Sequence, residues 1–321
     1  MKKIIIIIIA LCALAGLSVL LYLNAPPSHM KEKIFTVTYG ETIRMVARNL
    51  EKENLIKDRK FFVYSSYALR RQYIKAGRYQ IFPGTNSIKI LRKLTRGDVL
   101  SRKITIPEGF NIYQIADRLE ANTICGAGSF LGYASQVSFL RSIGINATSA
   151  EGYLFPDTYV FPEASDPRDI IAAMRNKMMS VIGDRPAYGP GMSLHEILTM
   201  ASLVEKEAQV YNERELISAV FHNRLRRGMK LDCDPTVRYA VRKFTGPITV
   251  SNLNTDSPYN TYRRTGLPPT PICSPGRESI YAAMHPLKSD YLYFVAKNDG
   301  SHQFSKTLRE HNAAVRLYQR R

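Results

Sequence analysis

The feature that most limits what this chain can fold into is its beginning. Lys2-Lys3 leads an apolar run from Ile4 to Leu23, broken only by small residues such as Gly16 and Ser18. About 20 apolar residues in a helix cross a bilayer, and the run supplies them. A cleaved secretion signal has a shorter core of about 7–15 residues followed by a small-x-small site. Here Leu23-Asn24-Ala25-Pro26-Pro27 makes a poor site, and Leu11 before Cys12 does not suit lipid attachment. The expectation is an uncleaved transmembrane anchor, residues 4–23, behind a cytoplasmic tail, 1–3. Lys2 and Lys3 favour a cytoplasmic N-terminus, an asymmetry that Lys31 and Lys33 weaken. The rest of the chain is then periplasmic or otherwise extracytoplasmic, tethered to the inner (cytoplasmic) membrane by a single pass.

The 321 residues leave room for about two soluble domains. The net charge of +18 suits an anionic partner: nucleic acid, phospholipid headgroups or an acidic polymer. A merely solvated basic surface explains it equally well. No nucleic-acid-reading motif accompanies the charge, so nucleic acid is not an expected partner. Cys12 lies in the anchor, and Cys125, Cys233 and Cys273 remain, an odd number that argues against a disulfide scaffold. A Cys233–Cys273 bridge stays open. No two of the six histidines have the i, i+4 spacing of a helical zinc pair, and there is no phosphate loop. No metal or cofactor is expected.

Behind a spacer, residues 24–34, the chain repeats itself. Phe35-Thr-Val-Thr-Tyr-Gly-Glu-Thr-Ile-Arg-Met-Val-Ala-Arg-Asn-Leu-Glu51 aligns with Ile104-Thr-Ile-Pro-Glu-Gly-Phe-Asn-Ile-Tyr-Gln-Ile-Ala-Asp-Arg-Leu-Glu120. A looser copy runs from Tyr79 to Leu94. Each copy predicts a short strand, a glycine turn and an amphipathic helix. Ile43, Val46, Ala47 and Leu50 fall at i, i+3, i+4, i+7, with Thr42 or Asn111 as the cap. Such units resemble LysM-type glycan-binding modules, which places a LysM-like βα-repeat domain at 35–120; a structural spacer is the plainer reading. A Gly- and Ser-rich linker region, 121–150, follows.

The last part, 151–321, predicts a mixed α/β domain, so the chain as a whole is α+β. Asp169–Met179, Asn212–Gly228, Arg277–Met284 and Thr307–Arg320 read as helices. Ser193–Ala208 reads as a helix opened by a Ser193/Glu196 capping box. Thr236–Tyr239 and Tyr291–Lys297 read as strands. Glu205 and Glu207 flank the apolar stripe of the Ser193–Ala208 helix on opposite sides. Either would become a general acid if partial burial raised its pKa; a Glu-Lys-Glu run is more often a solvated face. Asp234, ahead of Pro235, predicts a cap or turn. Asn223 suits either a backbone or a sugar. The loop containing Tyr259, Asn260 and Tyr262, with Thr265–Gly276 behind it, is long, ordered and suited to sugars.

These stretches together resemble the endolytic murein transglycosylase family, also called YceG-like. The resemblance rests on Glu151-Gly-Tyr-Leu-Phe-Pro-Asp-Thr-Tyr159, Ala201-Ser-Leu-Val-Glu-Lys-Glu207 and Val220 to Val237. It continues through Pro258-Tyr-Asn-Thr-Tyr262, Gly266-Leu-Pro-Pro269, Ser274-Pro-Gly276, His285-Pro286 and Tyr291 to Val295, then His302, Phe304, His311 and Asn312. It implies a membrane-anchored lyase that cuts the MurNAc–GlcNAc bond inside peptidoglycan strands and leaves 1,6-anhydro-MurNAc ends. It implies Glu207 as the essential glutamate, substrate contacts from Asn223, Asp234, Thr236, Tyr259, Asn260 and Tyr262, and peptidoglycan synthases as a further partner class. Cys233 and Cys273 depart from the Thr or Ala expected at their motif edges. Hydrolysis through Asp234, or a non-catalytic glycan-binding or synthase-scaffolding protein, are the competing readings.

Overall fold

A computed structural model of the chain describes residues 2–38, 40–183 and 191–319. The chain forms two compact units, Met1–Lys103 with Val160–Ser165, and Ile104–Tyr159 with Asp166–Arg321. The first begins with α1 (Lys2–Asn24), a helix long and apolar enough to cross a membrane, its apolar side chains exposed. Its far end is fastened down: Asn24 Oδ1 accepts the Ile88 N–H at 3.0 Å, and Lys57 Nζ lies 3.8 Å from the centre of the Tyr22 ring. The predicted spacer is therefore no loose tether, and Met30 is buried in the core of the unit.

Beyond it come β1 (Lys33–Val37), α2 (Ile43–Lys52), α3 (Arg59–Ala68), β2 (Gly77–Ile81) and α4 (Ser87–Arg96). β1 and β2 pair antiparallel with Phe35 opposite Tyr79. Alternation turns Phe35, Val37, Tyr79 and Ile81 inward, where they meet Val46, Ala47 and Leu50 of α2 and Ile90, Leu91 and Leu94 of α4. Thr42, Asp58 and Asn86 cap the three helices through their side chains. The Tyr79 hydroxyl donates to the Lys75 carbonyl at 2.6 Å, and burial pushes its pKa up to about 12. β3 (Ser101–Thr105) pairs with β4 (Thr158–Pro162) in a separate two-stranded sheet, and unit boundaries fall inside both strands. The buried Glu163 carboxylate receives Arg78 at 2.5 Å and Arg102 at 2.8 Å, tying the 160–165 excursion to the first unit.

The sequence repeat is visible as three strand–turn–helix copies, but they do not share one domain. The copy ending in α5 (Ile112–Ala121) lies in the second unit, so the division falls at 103/104. The predicted linker, 121–150, is folded: α6 (Ala127–Ala134) and α7 (Val137–Ser142) carry the fully buried Phe130 and Leu140. Helices this short bury one or two large residues each, too few to leave a periodic pattern. Then follow α8 (Pro167–Ile182), α9 (Leu194–Glu207), a 3-10 turn (Tyr211–Glu213), α10 (Arg214–Arg226), α11 (Asp234–Ala240), α12 (Val250–Leu253), α13 (Arg277–Met284), β5 (Tyr293–Ala296), β6 (His302–Ser305) and α14 (Leu308–Tyr318). Arg320, to which the sequence reading extended the last helix, lies outside the described residues.

α9 runs through the middle of this unit, and α10 and α13 pack against it and each other. Every residue from Ile197 to Val204 is buried. The Ser193/Glu196 capping box is formed, which fixes where α9 starts, and Glu207 is its last residue. The predicted strand Thr236–Tyr239 is instead the helix α11. Its Val and Tyr suggest a strand, but Pro235 sits at the first turn, where its fixed φ favours a helix start and its missing N–H costs nothing. Asp234 is therefore helical, and its Oδ1 accepts a hydroxyl from outside the helix.

Candidate functional site

The two glutamates that sequence could not separate have different surroundings. Glu205 Oε2 accepts the Gly276 N–H at 3.0 Å and the Ser279 hydroxyl at 2.7 Å, so this carboxylate holds the N-terminus of α13. Glu207, the last residue of α9, is tied to no backbone donor among those described. Cys233 Sγ donates to Glu207 Oε1 at 3.2 Å. Burial raises the Glu207 pKa; the Cys233 bond lowers it, the nearby Asp234 raises it and His302 lowers it, with burial the largest influence. A carboxylate at a helix C-terminus also faces the negative end of the helix dipole, in the same sense as burial. The Cys233 thiol is itself buried and pushed well above its ordinary pKa, so it stays protonated and remains a donor. Cys233 and Cys273 are both free; no bridge joins them.

Asp234 Oδ1 accepts the Tyr262 hydroxyl at 2.5 Å, and burial raises the Tyr262 pKa. His302 enters from β6, its Nδ1 2.7 Å from Glu213 Oε2 and its backbone N–H donating to Glu213 Oε1. The structure therefore groups Glu207, Cys233, Asp234, Tyr262 and His302. His302, Glu213 and Cys233 were not singled out as site residues by sequence reasoning, since nothing local marks a histidine nearly a hundred residues downstream as a neighbour of α9.

Of the other predicted contacts, Asn223, Thr236 and Asn260 face inward and Tyr259 borders a cleft. Asn223 is buried and gives its amide hydrogens to the Ser289 and Tyr291 carbonyls. Thr236 is buried and bonds the Cys233 carbonyl and Thr261 Oγ1. Asn260, fully buried, spends its amide on the Leu253 and Thr255 carbonyls and receives the Tyr262 N–H, which sets the loop that aims Tyr262 at Asp234. Tyr259 bonds Thr270 Oγ1 and packs 5.0 Å from the Tyr239 ring.

Tyr239 is shared by two clefts. One, of about 200 Å³, has Lys206, Pro235 and Arg238 in its wall, immediately beside Glu207 and Asp234 in the chain. The other, of about 570 Å³, is bordered by Tyr113, Arg242 and Tyr259. Tyr113 stacks on Phe244 at 6.2 Å, and Arg242 lies 4.6 Å over Tyr113. Flat aromatic faces beside cationic groups suit sugar rings carrying acidic substituents.

Beneath Tyr239 lies Glu151. It is wholly buried; its Oε2 accepts the Ile112 N–H and the Tyr239 hydroxyl, both at 3.0 Å, while Oε1 has no partner. Burial pushes its pKa up to about 8. Gly152 beside it has φ +79°, and a Cβ there would stand 2.3 Å from Pro271, so only glycine fits.

A mixed α/β unit that sets Glu207, its pKa raised by burial, beside the Cys233 thiol and the Asp234–Tyr262 pair has the groups that carboxyl acid–base chemistry needs. The chain belongs to the YceG-like family, whose model matches residues 35–317. It is 36% identical to an endolytic murein transglycosylase of Bacillus subtilis over 87% of this chain and 82% of that protein. It is 31% identical to one from Streptococcus pneumoniae over 86% of this chain, but spans only 56% of that longer relative. A crystal structure of a yceG-like protein from Listeria monocytogenes superposes with a TM-score of 0.58 at 33% identity, over 88% of this chain and 99% of that one.

Proposed function

We propose that this chain is an endolytic peptidoglycan lytic transglycosylase in which Glu207 is the one catalytic carboxyl, acting first as acid and then as base. The observation that carries the residue assignment is the place of Glu207 at the end of α9, with the Cys233 thiol donating to it and Asp234, occupied by Tyr262, nearby; burial raises its pKa in the same sense. The activity itself follows from the family and from relatives that bear that name.

Protonated Glu207 gives its proton to the oxygen linking MurNAc C1 to GlcNAc. The C1–O bond breaks, and GlcNAc leaves with a free hydroxyl. The resulting Glu207 carboxylate takes the proton of the MurNAc C6 hydroxyl as O6 bonds to C1. The 1,6-anhydro ring closes, Glu207 is protonated again, and no water is consumed. A glutamate whose pKa is raised by burial suits the first step; the Cys233 bond favours the carboxylate needed for the second. Asp234, held by Tyr262, supplies negative charge near the positive centre that develops at C1. Hydrolysis by contrast needs a second carboxylate to activate water or to form a covalent intermediate.

Mass spectrometry of fragments released from peptidoglycan by wild type and by Glu207→Gln tests this. Wild type yields 1,6-anhydro-MurNAc ends, and the variant loses at least about 100-fold in rate. Reducing ends from wild type would transfer the role to a water-activating pair that includes Asp234. Intact glycan binding without any cleavage by folded wild type would favour a scaffolding protein instead.

In the same reading α1 holds the protein in the cytoplasmic membrane with both units outside the cytoplasm, cleavage ends the growth of nascent strands, and the synthases that extrude those strands are its partners. The first unit serves as a LysM-like glycan holder, supported by its repeated, capped strand–turn–helix copies. Its groove between Arg44, Arg59 and the exposed Tyr64 and Tyr67 is where a sugar would stack.

A further inference from the structure

The first unit has a face that strand cleavage leaves without a task. Lys89, Arg92, Lys93 and Arg96 stand at i, i+3, i+4 and i+7 on α4 and so form one basic stripe. The stripe borders a groove of about 300 Å³ together with Phe82 from the turn ahead of the helix. Phe82 is 50% exposed, an unusual place for a phenylalanine in a unit with a well-filled core.

The position of this face relative to α1 is fixed by hydrogen bonds. α4 begins where α1 ends: the Ile88 N–H donates to Asn24 Oδ1 at 3.0 Å, and the Ser87 hydroxyl reaches the Leu23 carbonyl at 3.5 Å. Tyr22 with Lys57 over its ring makes an aromatic–cation pair at the same end of the span, the level where membrane helices collect such residues. At 1.5 Å per residue, Lys89 lies within ~2 Å of Ile88 along the axis and Lys93 within ~8 Å, however α4 is tilted. Helical side chains slant back towards the N-terminus, here towards α1. The headgroup layer is roughly 5–8 Å deep on each side of the hydrocarbon. The Debye length adds ~8 Å of electrostatic reach. Lys89, Arg92 and Lys93 all fall inside that zone.

We propose that this face of the first unit docks on anionic phospholipid headgroups of the membrane that α1 crosses, with Lys89, Arg92 and Lys93 on the phosphates and Phe82 in the interface. The inference rests on α1 being a membrane span. A soluble acidic polymer would satisfy the charges but give no use to an exposed phenylalanine beside them. Docking would add a second hold to α1 and set the tilt of the first unit on the bilayer.

The chain has no tryptophan, so Phe82→Trp gives the full-length protein a single tryptophan, excited to the red of its tyrosines. The reporter protein is placed in nanodiscs of phosphatidylcholine, with or without phosphatidylglycerol, the acyl chains brominated in both. Docking gives blue-shifted, bromine-quenched emission in the phosphatidylglycerol discs and water-like emission in the others. Adding Lys89→Glu, Arg92→Glu and Lys93→Glu abolishes the shift. The glutamine versions, which keep helix propensity and guard against misfolding, also weaken it. Reversing the exposed Arg141, Arg309 and Arg316 of the second unit leaves it intact. Water-like emission in both discs, or the same shift in both, overturns the proposal. So does a shift in phosphatidylcholine discs that appears only on adding inorganic polyphosphate, which assigns the stripe to a soluble polyanion. Failure to enter either disc refutes the anchor, a result separate from entry without a lipid-dependent shift.

Discussion

At the residue scale the site turns on the difference between two glutamates one residue apart from a common lysine. Helical spacing put them on opposite flanks of one stripe, which is as far as spacing can go. What separates them is what comes to meet each flank: the N-terminus of α13 for Glu205, and Cys233 with Asp234 for Glu207. Those partners come from distant segments, so no local pattern announces them. The Cys233 bond has a measurable consequence. It lowers the Glu207 pKa against the larger effect of burial, and activity that needs protonated Glu207 falls as pH rises through that pKa. Cys233→Ala removes the bond and moves this alkaline limb of the kcat/KM profile to higher pH. Cys233→Thr, which restores a donor, returns it. An unmoved limb in the alanine variant would mean that the thiol does not act on Glu207.

Glu151 makes a second residue-scale prediction. Folding lifts its pKa from the ordinary 4.5 to about 8, so the folded state binds the extra proton between those values. Its contribution is fully present at low pH and declines as pH rises towards 8, by an amount on the order of a few kcal/mol. Glu151→Gln, which keeps an acceptor for Ile112 and Tyr239, flattens that decline in denaturant titrations from pH 5 to 8.

At the scale of elements, capping chemistry was the most legible part of the sequence. Thr42, Asn111 and Ser193 all cap the helices expected of them, because a side-chain acceptor ahead of an amphipathic run is a local device. α13 likewise has the predicted ends, Arg277 and Met284. α6, α7 and α11 were not legible, being too short to show a period and, in α11, rich in residues that also favour strands. Ser193→Ala should cost about 1 kcal/mol in chemical denaturation, since the Glu196 N–H at the start of α9 loses its acceptor. Gly152→Ala should cost more, roughly 1–3 kcal/mol, because it adds backbone strain to the clash with Pro271. A loss no larger than that of Ser193→Ala would show that the Pro271 loop yields easily.

At the scale of the whole molecule, the apolar N-terminus and the ordered series of motifs made a helix long and apolar enough to cross a membrane, and the family, readable from sequence. The division into units was harder to read, because the repeat crosses it: similar strand–turn–helix segments lie on both sides of 103/104. The +18 charge gains a partial address in the α4 stripe and in the arginines and lysine beside Tyr239. In the proposed mechanism one carboxyl does both proton transfers and water takes no part. The most direct test is cleavage of peptidoglycan in heavy-oxygen water, with mass spectrometry of every new chain end. Single-carboxyl catalysis gives 1,6-anhydro ends that carry no heavy oxygen. One heavy oxygen on each new reducing end would contradict it and make the enzyme a hydrolase.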